Sequence, residues 1–224
     1  MIRLFIDAPF AEMMELPLPK EELRHFKVLR IHPHEMIPLV NGRGQLAEAL
    51  VLSSDRLVIK KVTNSPPPRY QSVIIQGLTE STHLDLLIEK GCELGVTHFY
   101  LFTAKKSKKT SLSPNKMERL HKILISALKQ SHRLHLPQIA VFPSLKEVTP
   151  LPKNIFLADP QGERLSLLPS EDCGILVGPE SGFTKEEIGF IETKLQAKKI
   201  SLNDNILRTE TASMISAYLL SQRS

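Results

Sequence analysis

The stretch Asn64-Ser65-Pro66-Pro67-Pro68-Arg69, followed closely by Ser72-Val73-Ile74-Ile75-Gln76, decides how this chain folds. Three consecutive prolines withhold the backbone N–H groups that a strand or helix needs, so the segment continues neither and marks a domain boundary. Before it the pattern is short apolar runs separated by turns: Leu4-Phe5-Ile6, Met36 to Val40, the hairpin signal Asn41-Gly42-Arg43-Gly44, Leu46 to Leu52 and Arg56 to Val62, with one short helix over Lys20 to Leu29. This pattern predicts a small, mostly β domain over residues 1–68, built as a barrel. After the prolines, strands and helices alternate. Ser72 to Gln76, Phe99 to Thr103, Ile155 to Ala158, Ile175 to Val177 and Ile200 to Leu202 read as short buried strands. Helices are predicted over Thr79 to Leu94, with Gly95 as the stop, and from Ser113-Pro114 to Ser131. Two more run from the capping box Thr184-Lys185-Glu186-Glu187 to Leu195 and from Thr209 to Gln222. Such alternation predicts an α/β domain on a mainly parallel sheet over residues 69–224.

Composition narrows the class further. Hydrophobic content of 42% and charged content of 24% are globular values and exclude a disordered chain. No apolar run is long enough to span a bilayer. Asp7 interrupts the N-terminal apolar residues too early for a secretory signal. Cys92 and Cys173 have no partner spacing and read as reduced thiols, so a cytoplasmic location is expected.

The net charge of +5 is unevenly placed. Between His98 and His135 stand Lys105, Lys106, Lys108, Lys109, Lys116, Arg119, Lys122, Lys129 and Arg133, with Glu118 the one acid, which leaves the rest of the chain slightly acidic. In the helix opened by Pro114, Met117, Leu120, Leu124 and Ala127 recur at spacings of three and four and mark a buried face, while Arg119, Lys122, Ser126, Lys129 and Arg133 recur on another. A cationic stripe at helical period suits a phosphate backbone, and it equally describes a solvated charged face. Aromatic residues that would stack unpaired bases are sparse here, so phosphate positioning rather than sequence readout is the expectation. His121, His132 and His135 lack metal-ligand spacing, and no metal site is expected.

Two C-terminal segments remain. In Ile175-Leu176-Val177-Gly178-Pro179-Glu180-Ser181-Gly182-Phe183-Thr184 a buried strand ends at Gly178, and Gly182 precedes a capped helix. Loops at the carboxyl ends of strands form ligand crevices in open α/β sheets, yet this spacing is neither a dinucleotide fingerprint nor a Walker loop; by itself it fits a tight turn or a site. In Leu202-Asn203-Asp204-Asn205-Ile206-Leu207-Arg208-Thr209-Glu210-Thr211-Ala212 a polar turn leads into a helix flanked by Arg208 and Glu210. Arginine is unfavourable at a helix N-terminus unless it is aimed at an anion; the simpler account is an Arg208–Glu210 surface pair.

Together these segments resemble those of the RsmE-type ribosomal RNA methyltransferases of the SPOUT superfamily. That family carries Gly-Pro-Glu-Gly-Gly-Phe and then Leu-Gly-x-x-Ile-Leu-Arg-x-Glu-Thr-Ala. Gly178 to Phe183 and Leu202 to Ala212 follow this pattern, with Ser181 and Asn203 each standing for a glycine. Glu89-Lys90-Gly91-Cys92-Glu93-Leu94-Gly95-Val96 is similar to the family's Gln-Lys-x-x-Glu-Leu-Gly-Val. Gln130-Ser131-His132-Arg133 is similar to its Gln-Ser-x-Arg, with Lys129 replacing a preceding acid. His25-Phe26-Lys27-Val28-Leu29-Arg30 resembles its His-Leu-x-x-Val-Leu-Arg.

The resemblance implies a trefoil-knotted catalytic domain, a PUA-like N-terminal barrel that helps bind RNA, and a homodimer. It implies S-adenosyl-L-methionine as cofactor and N3 of one uridine in small-subunit (16S) rRNA, free or within the small ribosomal subunit, as the methyl acceptor. On that basis Leu78, Gly178, Pro179, Glu180, Gly182, Leu202, Asn205, Ile206 and Leu207 would hold the cofactor. Arg30, Lys105, Lys106, Lys122 and Arg133 would hold RNA. Arg208 would stabilise the developing uridine anion, with Glu210 orienting it or acting as base. A different RNA position as target, or a binding module without catalysis, are the alternatives.

Overall fold

The computed structural model describes residues 3–108 and 110–222, except for the side chain of His25; Lys109 of the basic run lies outside the described residues. The chain forms two compact units, residues 1–67 with 125–136, and residues 68–124 with 137–224.

The first unit is a five-stranded mixed sheet in the order β1 (Leu4–Phe5), β3 (Met36–Val40), β4 (Gln45–Ser53), β5 (Arg56–Asn64), β2 (Glu15–Pro17). The Asn41 to Gly44 hairpin forms as its sequence requires: Gly42 and Gly44 adopt φ of 71° and 91°, and the Asn41 side chain accepts the Arg43 amide at 2.9 Å. Helix α1 (Lys20–Val28) packs Phe26 into a core with Leu39, Ala47, Val51, Leu57 and Ile59. Strand β2 escaped the sequence reading because Glu15-Leu16-Pro17 offers one inward residue and a proline, a pattern tolerated only at the sheet edge where the structure puts it.

The second unit is a six-stranded, wholly parallel sheet in the order β11 (Lys198–Ser201), β9 (Asn154–Arg164), β10 (Cys173–Val177), β6 (Ser72–Gly77), β7 (His98–Phe102), β8 (Gln138–Phe142). The expected α/β architecture with a parallel sheet is therefore found. Strand β6 is buried at every residue, which explains its uninterrupted apolar run. Helices α2 (Ser81–Glu93), α3 (Pro114–Gln130), α4 (Lys185–Thr193) and α5 (Thr209–Ser221) complete the elements, α3 passing from the second unit into the first. Gly95 ends α2 with φ of 94°. Thr184 and Glu187 form the reciprocal capping box that opens α4.

From β6 the sheet grows one way through β7 and β8; the chain then returns to place β9 and β10 on the other side of β6. The order thus reverses at the β6–β10 pair, which is where open α/β sheets hold ligands. Strand β9 also leaves its ladder there. Lys199 pairs with Leu157 but Ile200 with Glu163, so residues 158–162 interrupt the pairing register with β11 at the end of the sheet that carries the β10 loop.

Candidate active site

A cavity of about 630 Å³ opens at this reversal, lined by Leu157 to Pro160 of β9, Val177 to Glu180, Gly182 and Phe183 after β10, Leu207 to Glu210 at the start of α5, and His83 of α2. Its size suits a small-molecule site. A second cavity of about 80 Å³ shares Asp159 and Leu207 with it and is lined by Leu202, Asn203 and Asn205. The two C-terminal segments, separate in sequence, therefore meet around one space. Of the residues expected to hold a cofactor, Gly178, Pro179, Glu180, Gly182 and Leu207 line the larger cavity, and Leu202 and Asn205 the smaller. Leu78 is fully buried, its amide bonded to the Phe102 carbonyl at 2.7 Å, and Ile206 is 86% exposed; neither lines these cavities.

The β10 loop is held from below by Gln76, which no sequence pattern flagged. Its side-chain amide reaches the carbonyl of Gly178 at 3.1 Å and the hydroxyl of Thr209 at 3.2 Å, while its carbonyl accepts Ser213 at 2.5 Å. Thr209 in turn donates to the Gly178 carbonyl at 2.6 Å. Gln76 is wholly buried, so this network joins the ends of β6 and β10 to the first turn of α5 where water cannot compete. Close packing adds to it: a Cβ on Gly77 would stand 2.7 Å from the Pro179 ring. The left-handed residue of the loop is Gly182 (φ 67°), while Ser181 is exposed with an ordinary backbone, so the serine that replaces a family glycine causes no strain. Asn203 likewise avoids the left-handed region and accepts the Asn205 amide at 2.9 Å.

Glu180 is the most constrained ionisable group of the site. It accepts the Thr79 hydroxyl, the Glu80 amide at 3.0 Å, and His83 Nδ1 at 3.2 Å. Burial works to raise its pKa, but these bonds and its own amide outweigh burial and hold it at about 2. His83 Nδ1 also stands 3.8 Å from Glu210 Oε2. The side chains of His83, Glu180 and Glu210 are only 29%, 24% and 14% exposed. Glu210 thus faces His83, and the Arg208–Glu210 surface pair weighed from the sequence is not formed. Among the described residues the Arg208 guanidinium has no hydrogen-bond or ion-pair partner. It caps α5 with an extended backbone (φ −67°, ψ 156°) and lines the cavity.

The basic segment differs from its sequence reading. Acids distant in sequence face most of its cations: Lys105 pairs with Glu186, Lys108 with Glu80 at 3.8 Å, and Lys116 and Arg119 with Asp85 at 2.5 and 2.9 Å. Lys122 pairs with Glu118, and Lys106 donates to the Phe183 carbonyl. Lys129, placed on the cationic stripe, is instead buried against Glu22 of the first unit at 2.6 Å. Arg30, exposed with φ of 52°, and half-buried Arg133 belong to the first unit, Lys105, Lys106 and Lys122 to the second. Among the described residues no cluster of histidine, cysteine and acid is placed to hold a metal ion, and no helix is long and apolar enough to cross a membrane.

The chain is similar to known proteins in sequence and fold. The chain is 28% identical over 226 residues to a ribosomal RNA small subunit methyltransferase E of Rickettsia conorii, covering 95% of this chain and 91% of that protein. It is 28% identical over 247 residues to the protein of the same name from Bacillus subtilis, covering 99% and 96%. A ribosomal RNA small subunit methyltransferase E from Neisseria gonorrhoeae, solved bound to S-adenosyl methionine, superposes with a TM-score of 0.84 at 25% identity over 97% of this chain and 95% of that one. The resemblance read from the C-terminal motifs is thereby borne out. The sequence pattern of the family described as RNA methyltransferase domain matches residues 66–221, and the chain belongs to that family.

Proposed function

We propose that this protein transfers a methyl group from S-adenosyl-L-methionine to N3 of one uridine in small-subunit rRNA. One observation carries the reading: Arg208, without a partner among the described residues, sits at the start of a helix on the wall of a cavity at the sheet reversal. The residues present fit the cofactor. Leu157, Val177, Phe183 and Leu207 offer apolar walls, the Gly178 to Gly182 backbone is open to close approach, and Asp159 and Glu180 supply negative charge suited to a sulfonium and an ammonium group. Once bound, the cofactor supplies an electrophilic methyl group. The protein must then align uridine N3 with it, stabilise the anion that forms as the N3 proton leaves, and receive that proton. Arg208 would stabilise the anion. Glu210, two residues on in the first turn of α5, would orient the arginine once substrate is bound or take the proton.

Further parts of the reading rest on the family resemblance. The methyltransferase domain over residues 69–224 would be trefoil-knotted. The domain over residues 1–68 would be a PUA-like barrel that helps bind RNA. Arg30, Lys105, Lys106, Lys122 and Arg133 would hold phosphates, the paired lysines exchanging their surface carboxylates for RNA. A homodimer in the cytoplasm is expected; exposed Ile206 and Tyr218 are apolar surface that a second copy would cover. The test is nucleoside mapping by mass spectrometry of small-subunit rRNA incubated with purified protein and cofactor, as free RNA and as assembled subunit. 3-Methyluridine at a single position is the expected product. Methylation of a ribose or of another base would replace this reading with a different RNA target.

A further inference from the structure

We infer that His83 is the base that receives the uridine N3 proton. The inference rests on the uridine-N3 reading above and identifies a group which that reading leaves open. The argument begins with the tautomer. Nδ1 of His83 faces only oxygens: Glu180 Oε1 at 3.2 Å, Thr79 Oγ1 at 3.4 Å and Glu210 Oε2 at 3.8 Å. Both carboxylates are acceptors, and the Thr79 hydroxyl already gives its hydrogen to Glu180. Nδ1 must therefore carry hydrogen, and the lone pair of the neutral ring lies on Nε2. Among the described residues Nε2 has no hydrogen-bond partner, and the ring lines the cavity. A carboxylate that fixes one imidazole nitrogen as donor and leaves the other free as acceptor is the arrangement by which histidine bases are oriented in unrelated enzymes.

The surrounding charges favour the same role. The groups facing His83 are Glu180 from the loop after β10, Glu210 from α5 and Thr79 from the segment before α2; Arg208 and Asp159 share the cavity wall. Two carboxylates, Glu180 and Glu210, lie on the Nδ1 side of the ring at 3.2 and 3.8 Å. Glu180 cannot be the base itself, because three protein donors besides its own amide already occupy it. In the step proposed, the N3–H bond breaks and its proton joins Nε2. The electron pair left on N3 forms the bond to the methyl carbon, and the carbon–sulfur pair stays with sulfur, whose positive charge is cancelled. The imidazolium afterwards returns its proton to water.

The test uses single-turnover methyl transfer with RNA and cofactor pre-bound. The H83N side chain keeps an N–H donor toward Glu180 but has no second nitrogen to act as base. It is expected to bind S-adenosyl-L-methionine in calorimetry as the native protein does and to slow transfer by about 10²–10⁴-fold. RNA carrying 5-fluorouridine at the target supplies the decisive comparison, because fluorine acidifies N3–H and lessens the need for a base. The deficit of H83N should shrink at least tenfold on that RNA, and added imidazole should partly restore H83A. Transfer by H83N within threefold of native, or a deficit unchanged on 5-fluorouridine RNA, would overturn the inference and leave His83 a positioning residue. Absence of 3-methyluridine with the native protein would instead refute the reaction itself, independently of His83.

Discussion

The two loops that enclose the cavity are built on opposite plans. The loop after β10 is fixed from every side: Gln76 and Thr209 hold the Gly178 carbonyl, Pro179 packs on Gly77, Glu180 takes donors from the segment before α2, and Thr184 closes it with a capping box. Among the described residues, the loop between β11 and α5 is tied only by short local bonds, Ser201 to the Asn203 carbonyl and the Asn205 amide to Asn203, and by the exposed pair of Arg164 with Asp204. Asp204, Asn205, Ile206 and Arg208 all face solvent. The first loop is a preformed floor whose interactions contribute to folding. On the function proposed above, the second would present side chains whose partners arrive with substrate, cofactor or a second copy. Substitutions in the first should therefore cost stability, and substitutions in the second should cost function with little loss of stability.

The largest effect expected is in the second loop. Arg208→Ala should lower single-turnover methyl transfer by about 10²–10³-fold, the usual cost of removing a group that stabilises charge in the transition state. Its melting temperature should stay within a degree or two of native, since the guanidinium has no partner among the described residues. A large loss of stability with normal chemistry would invert the comparison.

Next in size is an effect of pH on the first loop. The folded state holds Glu180 at about 2 against an ordinary 4.5. A depressed carboxylate contributes stability that is complete above the unfolded value and is lost as pH falls toward the folded one. The stabilisation should be complete at pH 6 and mostly gone at pH 3, between the unfolded and folded values. Urea unfolding of native protein and Glu180→Gln at pH 6 and pH 3 isolates this group, because the other carboxylates cancel in the difference. If the gap between the two proteins is the same at both pH values, Glu180 does not anchor the floor.

The comparison also explains what was legible in the sequence. Helix positions followed from periodicity and caps, since α2, α3, α4 and α5 each present an amphipathic pattern or a terminal signal that local chemistry enforces, and most strands followed from apolar runs, but β2 and the half-exposed edge strand β8 did not. Both loops were found because each is contiguous. Gln76, His83 and Asp159 were not, because each reaches the site from its own strand end or helix start, and only the reversal of sheet order brings them together. An internal glutamine in β6 and a histidine on α2 carry no local mark of their role. The basic segment shows the converse. Its charge count was correct, yet Asp85, Glu80, Glu186 and Glu22 stand opposite its cations, and pairing across sequence distance is invisible to a running sum of charge.

The smallest effect expected on the folded chain is at Ile206, and for that reason it is the sharpest test of the second loop. At 86% exposure the side chain contributes almost no burial within its own chain, so Ile206→Ser should change unfolding free energy by less than about 0.5 kcal/mol. Covering an isoleucine in an interface is worth about 1.5–3 kcal/mol, so if a second copy covers this residue the dissociation constant of the homodimer should rise by tenfold or more. Sedimentation equilibrium and urea unfolding at matched concentration read the two quantities separately. A loss above 1 kcal/mol at concentrations where the chain is monomeric would mean that Ile206 is packed in the isolated chain, and the second loop would then be as much a part of the folded framework as the first.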